Sequence, residues 1–510
     1  MKVSSPFLHE LIGSMTASEK RHFKLYMALH KKKKGNKGIL LFNEIASQKK
    51  YDEAKLKVKF QHDQFLKKHL NKAKLDLHDS ILKCLRIFYE NKTRANKLIH
   101  AIQNAEILYG KGLYKQAMKI WEKNRRIAFE EEHYWLYFKL VNDEIRFHHS
   151  LSFTYMSEQE LNKLFVEEQK AIENYIPVTK HTSYNSLASV RRAKIGFSRT
   201  SAEADTGVPM PVYSNDEQKK LSPLALLMYH IFHAVNHFDQ NDFEKAFDTG
   251  LKINTLFNDY PYLPQTYPRA QYMMMILLLN CSFALKKYKG IPELLETMKK
   301  IDPPSRSLKN NIDKSILNMT VMYLVRIGDF KQALPFITAN MHKKDFLNSQ
   351  QHIIFYLRAA SVYLGLGDYR ESIKWLNKIL NEFATEHRTD LMVAARLILL
   401  IIHFELNNTD LVEYYTRSTY RYLLKRQHLH EFEKVLLNYI KNEFPKVNNR
   451  KEFTVVFVSL KEKLNKVFKD PYEARALEYF DYMAWLNSKI EGKSFEEILK
   501  AESKAHASGS

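Results

Sequence analysis

The sequence predicts an all-α fold, an α-solenoid of antiparallel helix pairs behind an amino-terminal basic helical block. Three observations predict it. Gly and Pro number only 14 each in 510 residues, which removes most of the punctuation that sheets and hairpins need. Apolar residues recur three or four apart over long stretches, the stripe of an amphipathic helix. A short turn signature, Gly or Asn followed two residues later by an aromatic and five later by a small residue, returns at intervals near 40 residues from Asn241 onward.

Residues 1–94 form the basic block. Met1 to Met15 holds no clean apolar run, because His9 and Glu10 interrupt it, so it does not read as an export signal. Thr16-Ala17-Ser18-Glu19 is a capping box that opens a helix running toward Lys31. Lys31, Lys32, Lys33, Lys34 and Lys37 then make a compact cationic loop, and Lys55, Lys57, Lys59, Lys67, Lys68, Lys72 and Lys74 add charge downstream. Residues 1–100 carry 23 Lys and Arg against 9 Asp and Glu, so the larger part of the net charge of +22 sits at this end. Between Asp52 and Gly110 the stripe Leu66, Leu70, Ala73, Leu77, Ile81, Leu85 and Phe88 predicts one or two long helices. Leu40 to Ile45, a short helix followed by a Lys-rich one, raises a helix-turn-helix or winged-helix unit within residues 38–90, but neither a typical short turn nor a strand pair for a wing is evident, so it is not expected.

Residues 95–195 read as a first helical block. Residues 196–222, with Gly207, Pro209 and Pro211 among Ser, Thr, Asp and Asn, read as a loop or linker. Residues 223–425 hold the repeats, 426–500 capping helices, and 501–510 a disordered tail. Four turns carry the signature: Gly112, Tyr114 and Ala117; Asn241, Phe243 and Ala246; Gly328, Phe330 and Ala333; Gly367, Tyr369 and Ser372. Weaker copies lie at Lys287-Tyr288 and Asn408-Thr409-Asp410. The Gly or Asn takes the left-handed turn, the aromatic wedges between paired helices, and the small residue lets their backbones approach. Tyr472, Tyr479, Phe480, Tyr482, Met483 and Trp485 crowd a later helix, expected to cap an open solenoid end or to dock a second copy.

This pattern resembles the tetratricopeptide repeat (TPR) family. Tyr363, Gly367, Tyr369, Ser372, Leu376 and Ile379 fall on its signature positions in one copy, and Leu108, Gly112, Tyr114, Ala117 and Trp121 in another. The resemblance covers about residues 95–130 and 225–420. Each copy lacks the family's early Trp and closing Pro, and the period exceeds the usual 34 residues or so. The chain is also similar to a bacterial group of TPR-like proteins, through Ser18 to Lys24 and Ile107 to Tyr114, a resemblance to which no activity is attached. It implies a TPR-like fold that holds protein or peptide partners.

Catalytic signatures are missing. Neither G-x-G-x-x-G nor G-x-x-x-x-G-K-[ST] occurs, and no second His follows His430-Glu431 at the spacing of a zinc protease. His148-His149 and Glu130-Glu131-Glu132-His133 have no converging partners and are expected to be solvated helix faces. Cys84 and Cys281 lie far apart in apolar runs and are expected to be buried hydrophobes. The apolar stretches Tyr272–Leu285 and Leu391–Leu406 are too short to span a bilayer. The expectation is a cytoplasmic protein that is not an enzyme and carries no cofactor or metal.

Two binding surfaces remain. In TPR domains that clamp a carboxylate, Lys, Asn and Arg occupy the inner face of each first helix; the matching positions here are Ile99, Ile102, Met228, Ile231, Ile354, Leu357, Arg358, Ala395, Ile398 and Leu399. Arg358 alone has suitable chemistry, so a full clamp is not expected. The second surface is the basic block, whose clustered Lys suit RNA, DNA, a ribosomal surface, anionic lipid or an acidic protein. The leading expectation is a scaffold that binds a protein or peptide, with a basic docking surface formed by Lys31–Lys34, Lys37, Lys55, Lys67, Lys68, Lys72 and Lys74. The alternative is a nucleic-acid- or ribosome-associated regulator using the same lysines. The oligomeric state is left open.

Overall fold

The computed structural model describes residues 5–30, 37–154, 156–195, 198–204, 212–340, 349–383, 388–426, 429–447 and 449–508. Every regular element among them is helical. The chain divides into two compact units, Met1–Leu161 and Asn162–Ser510. The boundary falls inside the segment 95–195 that the sequence groups as one block.

In the first unit the helices Ser5–Ser14, Ala17–His30, Lys37–Ser47, Glu53–Lys59 and Gln64–Tyr89 enclose a core of Leu8, Ile12, Phe23, Met27, Phe42, Leu77 and Ile81. The capping box closes as expected, with the Glu19 amide donating to Thr16 Oγ1 at 3.2 Å. The stretch from Asp52 to Gly110 is broken into three helices, the last being Arg94–Gly110, by caps at Asp52, Asp63 and Thr93, each of which accepts from a backbone amide three residues on. Local side-chain acceptors thus start new helices where no Gly or Pro interrupts the chain. Helices Tyr114–Glu130 and Tyr134–Ser150 follow and pack with Arg94–Gly110 in sequence order.

In the second unit helix pairs stack in chain order: Pro223–Asp239 with Phe243–Asp259, Pro268–Ala284 with Ile291–Lys299, Arg306–Arg326 with Phe330–Asn340, Ser349–Gly365 with Tyr369–Glu382, and Thr389–Glu405 with Thr409–Arg426. This is an all-α solenoid. One turn joins the members of these pairs. Asn241, Lys286, Gly328, Gly367 and Asn407 all take positive φ, and the next amide donates back to the carbonyl five residues earlier, as in Asp329 N to Leu324 O at 2.7 Å and Asp368 N to Tyr363 O at 2.9 Å. That six-to-one bond satisfies carbonyls that a helix end leaves open. The following Asp then caps the second helix, as Asp242, Asp329 and Asp368 do for amides three residues on. Ala246, Ala333 and Ser372 are fully buried, and Ser372 Oγ donates to Ala360 O of the preceding helix at 2.8 Å.

The chain after Arg426 does more than cap an end. Helices Glu431–Asn438 and Arg450–Val467 continue the stack, and then the segment from Glu473 to Ser508 turns back along the pairs already built. Arg475 donates to Phe238 O at 2.6 Å and lies over the rings of Phe238 and Phe243. Arg326 donates to Leu477 O at 2.5 Å, Tyr479 hydroxyl donates to Asp390, and Trp485 Nε1 donates to Glu405 at 2.7 Å. Leu391 to Ile402 is therefore buried almost all round by the protein's own chain, including Trp485 and Phe457. The expected tail from 501 is instead helical through Ser508. Ser494 and Glu497 cap the helix Phe495–Ser508, and Ile498 and Leu499 bury against Phe330 and Ala484.

Candidate anion-binding site

Helices Pro268–Ala284, Arg306–Arg326 and Ser349–Gly365 contribute Asn280, Asn318 with Met322, and Arg358 to one cavity of about 220 Å³. Arg388 lines it beside Leu391, and Glu478 with Tyr479 closes it from the returning segment. The Arg358 guanidinium donates to Met322 Sδ at 3.1 Å, a weak acceptor, and no carboxylate lies within ion-pair distance of it among the described residues. Burial first, and the like charge of Arg326 next, push Arg358 down to about 10. At neutral pH it remains a desolvated cation.

Its charged neighbours have closer partners, and Glu478 acts on it only through space. Arg388 is committed to Asp390 through two bonds at 2.9 and 2.7 Å, Arg326 faces Asp481 at 3.6 Å, and Glu478 stands 3.6 Å from Arg475. Asn318 Oδ1 is buried without a hydrogen-bond partner. The cavity thus places the Arg358 guanidinium, which has no ion pair of its own among the described residues, beside the amides of Asn280 and Asn318, with the Arg388 and Glu478 charges engaged by Asp390 and Arg475; its Arg358 side suits a carboxylate or phosphate small enough to enter 220 Å³.

Sequence reasoning placed Arg358 on the inner face but missed Asn280 and Asn318. Asn280 interrupts an apolar stretch, and that was the available signal. The other inner-face positions, Met228, Ile231, Ala395, Ile398 and Leu399, lie outside this cavity.

The amino-terminal lysines scatter into different roles. Lys31, Lys32, Lys33 and Lys34 lie outside the described residues. Lys37 pairs with Asp63 at 2.8 Å and lies over the Phe65 ring, and Lys55 stands 3.8 Å from Asp52. Lys74 is buried and pairs with Glu53 at 3.2 Å, so it is an internal cation rather than a surface one. Lys67, Lys68 and Lys72 are exposed and have no carboxylate partner among the described residues.

The histidine segments differ from expectation. His148 is buried against Phe147 and Phe153, beside a 660 Å³ pocket that Glu122 also lines, and burial lowers its pKa; only His149 is exposed. Glu132 takes positive φ in a helix-joining turn, so Glu132 and His133 are buried instead of solvated. No group of three metal-ligating side chains occurs among the described residues, and no helix among them is long and apolar enough to cross a membrane. The chain matches no family model, no curated protein and no solved structure.

Proposed function

We propose that the protein is a non-enzymatic interaction scaffold whose TPR-like solenoid holds a protein or peptide partner through an anionic group of that partner. The observation that carries this reading is Arg358 in its cavity, without an ion pair among the described residues. A desolvated guanidinium without a carboxylate costs stability, and an arriving carboxylate or phosphate converts that cost into affinity. Stacked helix pairs offer the extended surface that recognises a chain segment flanking such a group. Affinity capture with the full chain from nuclease-treated lysate, followed by mass spectrometry, tests it: a retained protein must be lost from Arg358→Met. A partner held equally well by that variant excludes the cavity as its site.

A second reading is favoured by Lys67, Lys68 and Lys72, which have no acidic partner among the described residues. In it the basic amino-terminal block docks on RNA, DNA or a ribosomal surface while the solenoid holds the protein partner. Binding that falls steeply with salt, and is abolished by neutralising Lys31–Lys34, Lys37, Lys67, Lys68 and Lys72, supports it. Absence of such binding at low salt removes it.

A further inference from the structure

The largest cavity described in the second unit, about 810 Å³, lies far along the sequence from the basic amino terminus. Helix Thr409–Arg426 supplies Arg417 and Arg421 to it, one turn apart. Helix Glu431–Asn438 supplies Lys434, the turn after it Lys441, and helix Arg450–Val467 Lys463. Among the described residues no Asp or Glu lines the groove. Arg417 pairs with Glu413 and Lys434 with Glu431 on the flanks. Arg421 and Lys441 have no carboxylate partner among the described residues, and Lys463 lies 4.9 Å from the Tyr439 ring.

The backbone is adapted at this place. Residues Tyr439–Glu443 form a π-helical turn, a wider coil that is rare and tends to occur at functional sites. It sets Lys441 and Asn442 on the groove while Tyr439 hydroxyl bonds Ser459 Oγ at 2.8 Å beneath. Tyr420, 46% exposed, stands between Arg417 and Arg421 in sequence and lines the same groove.

We infer that this groove binds a single strand of nucleic acid, its phosphates on Arg421, Lys441 and Lys463 and a base on Tyr420. Strand-binding surfaces combine a cationic track with aromatic platforms, and both are present here. An acidic helix would instead dock a row of apolar anchors, whereas the aliphatic side chains lining this groove are two, Val435 and Leu437, set among five cations and the polar Thr416, Asn438 and Asn442. The site is independent of Arg358 and of the amino-terminal lysines.

Fluorescence anisotropy of the full chain with a labelled 12-nucleotide RNA and the matching single-stranded DNA, over a salt series, tests it. Binding of either oligonucleotide is expected to weaken with salt, by a slope of about 0.7 per phosphate neutralised. The triple variant Arg421→Ser, Lys441→Ser, Lys463→Ser should lose at least about tenfold in affinity and flatten that slope by about 2. Tyr420→Leu should lose about fivefold or more with the slope unchanged. A control carrying Lys67→Ser, Lys68→Ser and Lys72→Ser should keep the groove-dependent part. The inference is overturned by absence of binding, or by a triple variant within twofold of the original chain. Competition by polyglutamate at equal charge as effective as competition by the oligonucleotide also overturns it, and marks an acidic protein as the occupant.

Discussion

Arg199 meets Glu433 with both terminal nitrogens, at 3.0 and 3.3 Å, and the side chains are only 10% and 1% exposed. Burial raises the Glu433 pKa and Arg199 opposes that shift, so the pair is the condition for holding the carboxylate ionised. Glu473 joins them at 3.4 Å and accepts from the amides of Glu431 and Phe432 at the start of a helix. A short segment from the region read as a linker is thereby pinned to two distant parts of the second unit.

Removing one partner leaves the other charge buried, a loss of roughly 3–5 kcal/mol. Arg199→Met should therefore lower the urea midpoint of unfolding strongly. The double variant Arg199→Met, Glu433→Leu should recover much of the loss. Equal midpoints for single and double variants would show that the ion pair does not matter.

Gly328 and Gly112 share a turn but differ in surroundings. At Gly112 a Cβ meets nothing within 4 Å, so Gly112→Ala pays only for positive φ, about 1–2 kcal/mol. At Gly328 a Cβ would stand 2.8 Å from Glu496 O and 3.1 Å from Leu499 Cβ. Gly328→Ala should cost more and loosen the helix Phe495–Ser508, detectable as faster proteolytic clipping after Lys493. Clipping at the original rate would count against this packing.

Arg358→Met should leave the melting temperature unchanged or raise it, because it removes a cation that has no ion pair among the described residues. The same change should abolish binding of the partner's anionic group. A clear drop in melting temperature without ligand would mean that the guanidinium is satisfied within the fold.

Burial lowers His230 to about 4 and also lowers His133, His148, His181, His237 and His403. Each of these groups takes a proton less readily when folded than when unfolded. Stability is thus complete above about pH 6.5 and declines as the pH falls toward 4, by on the order of 3 kcal/mol for His230 alone. Denaturant midpoints measured from pH 7.5 to 4.5 should fall, and His230→Phe should reduce the slope. A pH-independent midpoint would contradict this.

Cys84 and Cys281 are fully buried, and burial pushes their thiols up to about 11 and about 12. Neither should react with a disulfide reagent in the native state, and both should react in denaturant. Rapid native labelling of either would place it at the surface.

The helices and their turns were legible because each turn is local: Gly328 or Asn241 takes positive φ and the Asp beside it caps the next helix. The cavity and the cationic groove were not, since they join residues from separate helices. The return of Arg475 to Phe238 spans 237 residues, beyond any periodicity. Lys74 was legible and misread. It lies four residues after Leu70 and three before Leu77, on the buried stripe, so its spacing already marked it as internal. The tail was misread because its Ala, Ser and Gly content shows no helical period, although the capping box Ser494 to Glu497 that opens its helix is legible in the sequence.

Arrays of stacked repeats ordinarily melt piece by piece, since each unit touches only its neighbours. The segment from Glu473 to Ser508 changes that rule here. It ties the turn at Asn241 to Arg475 and the end of helix Thr389–Glu405 to Trp485. During vectorial synthesis the turn at Asn241 waits for a residue made 234 positions later, so the array is latched only when that stretch arrives. Once latched, loss of one helix pair removes contacts at the far end of the array, and the second unit should behave as one cooperative body.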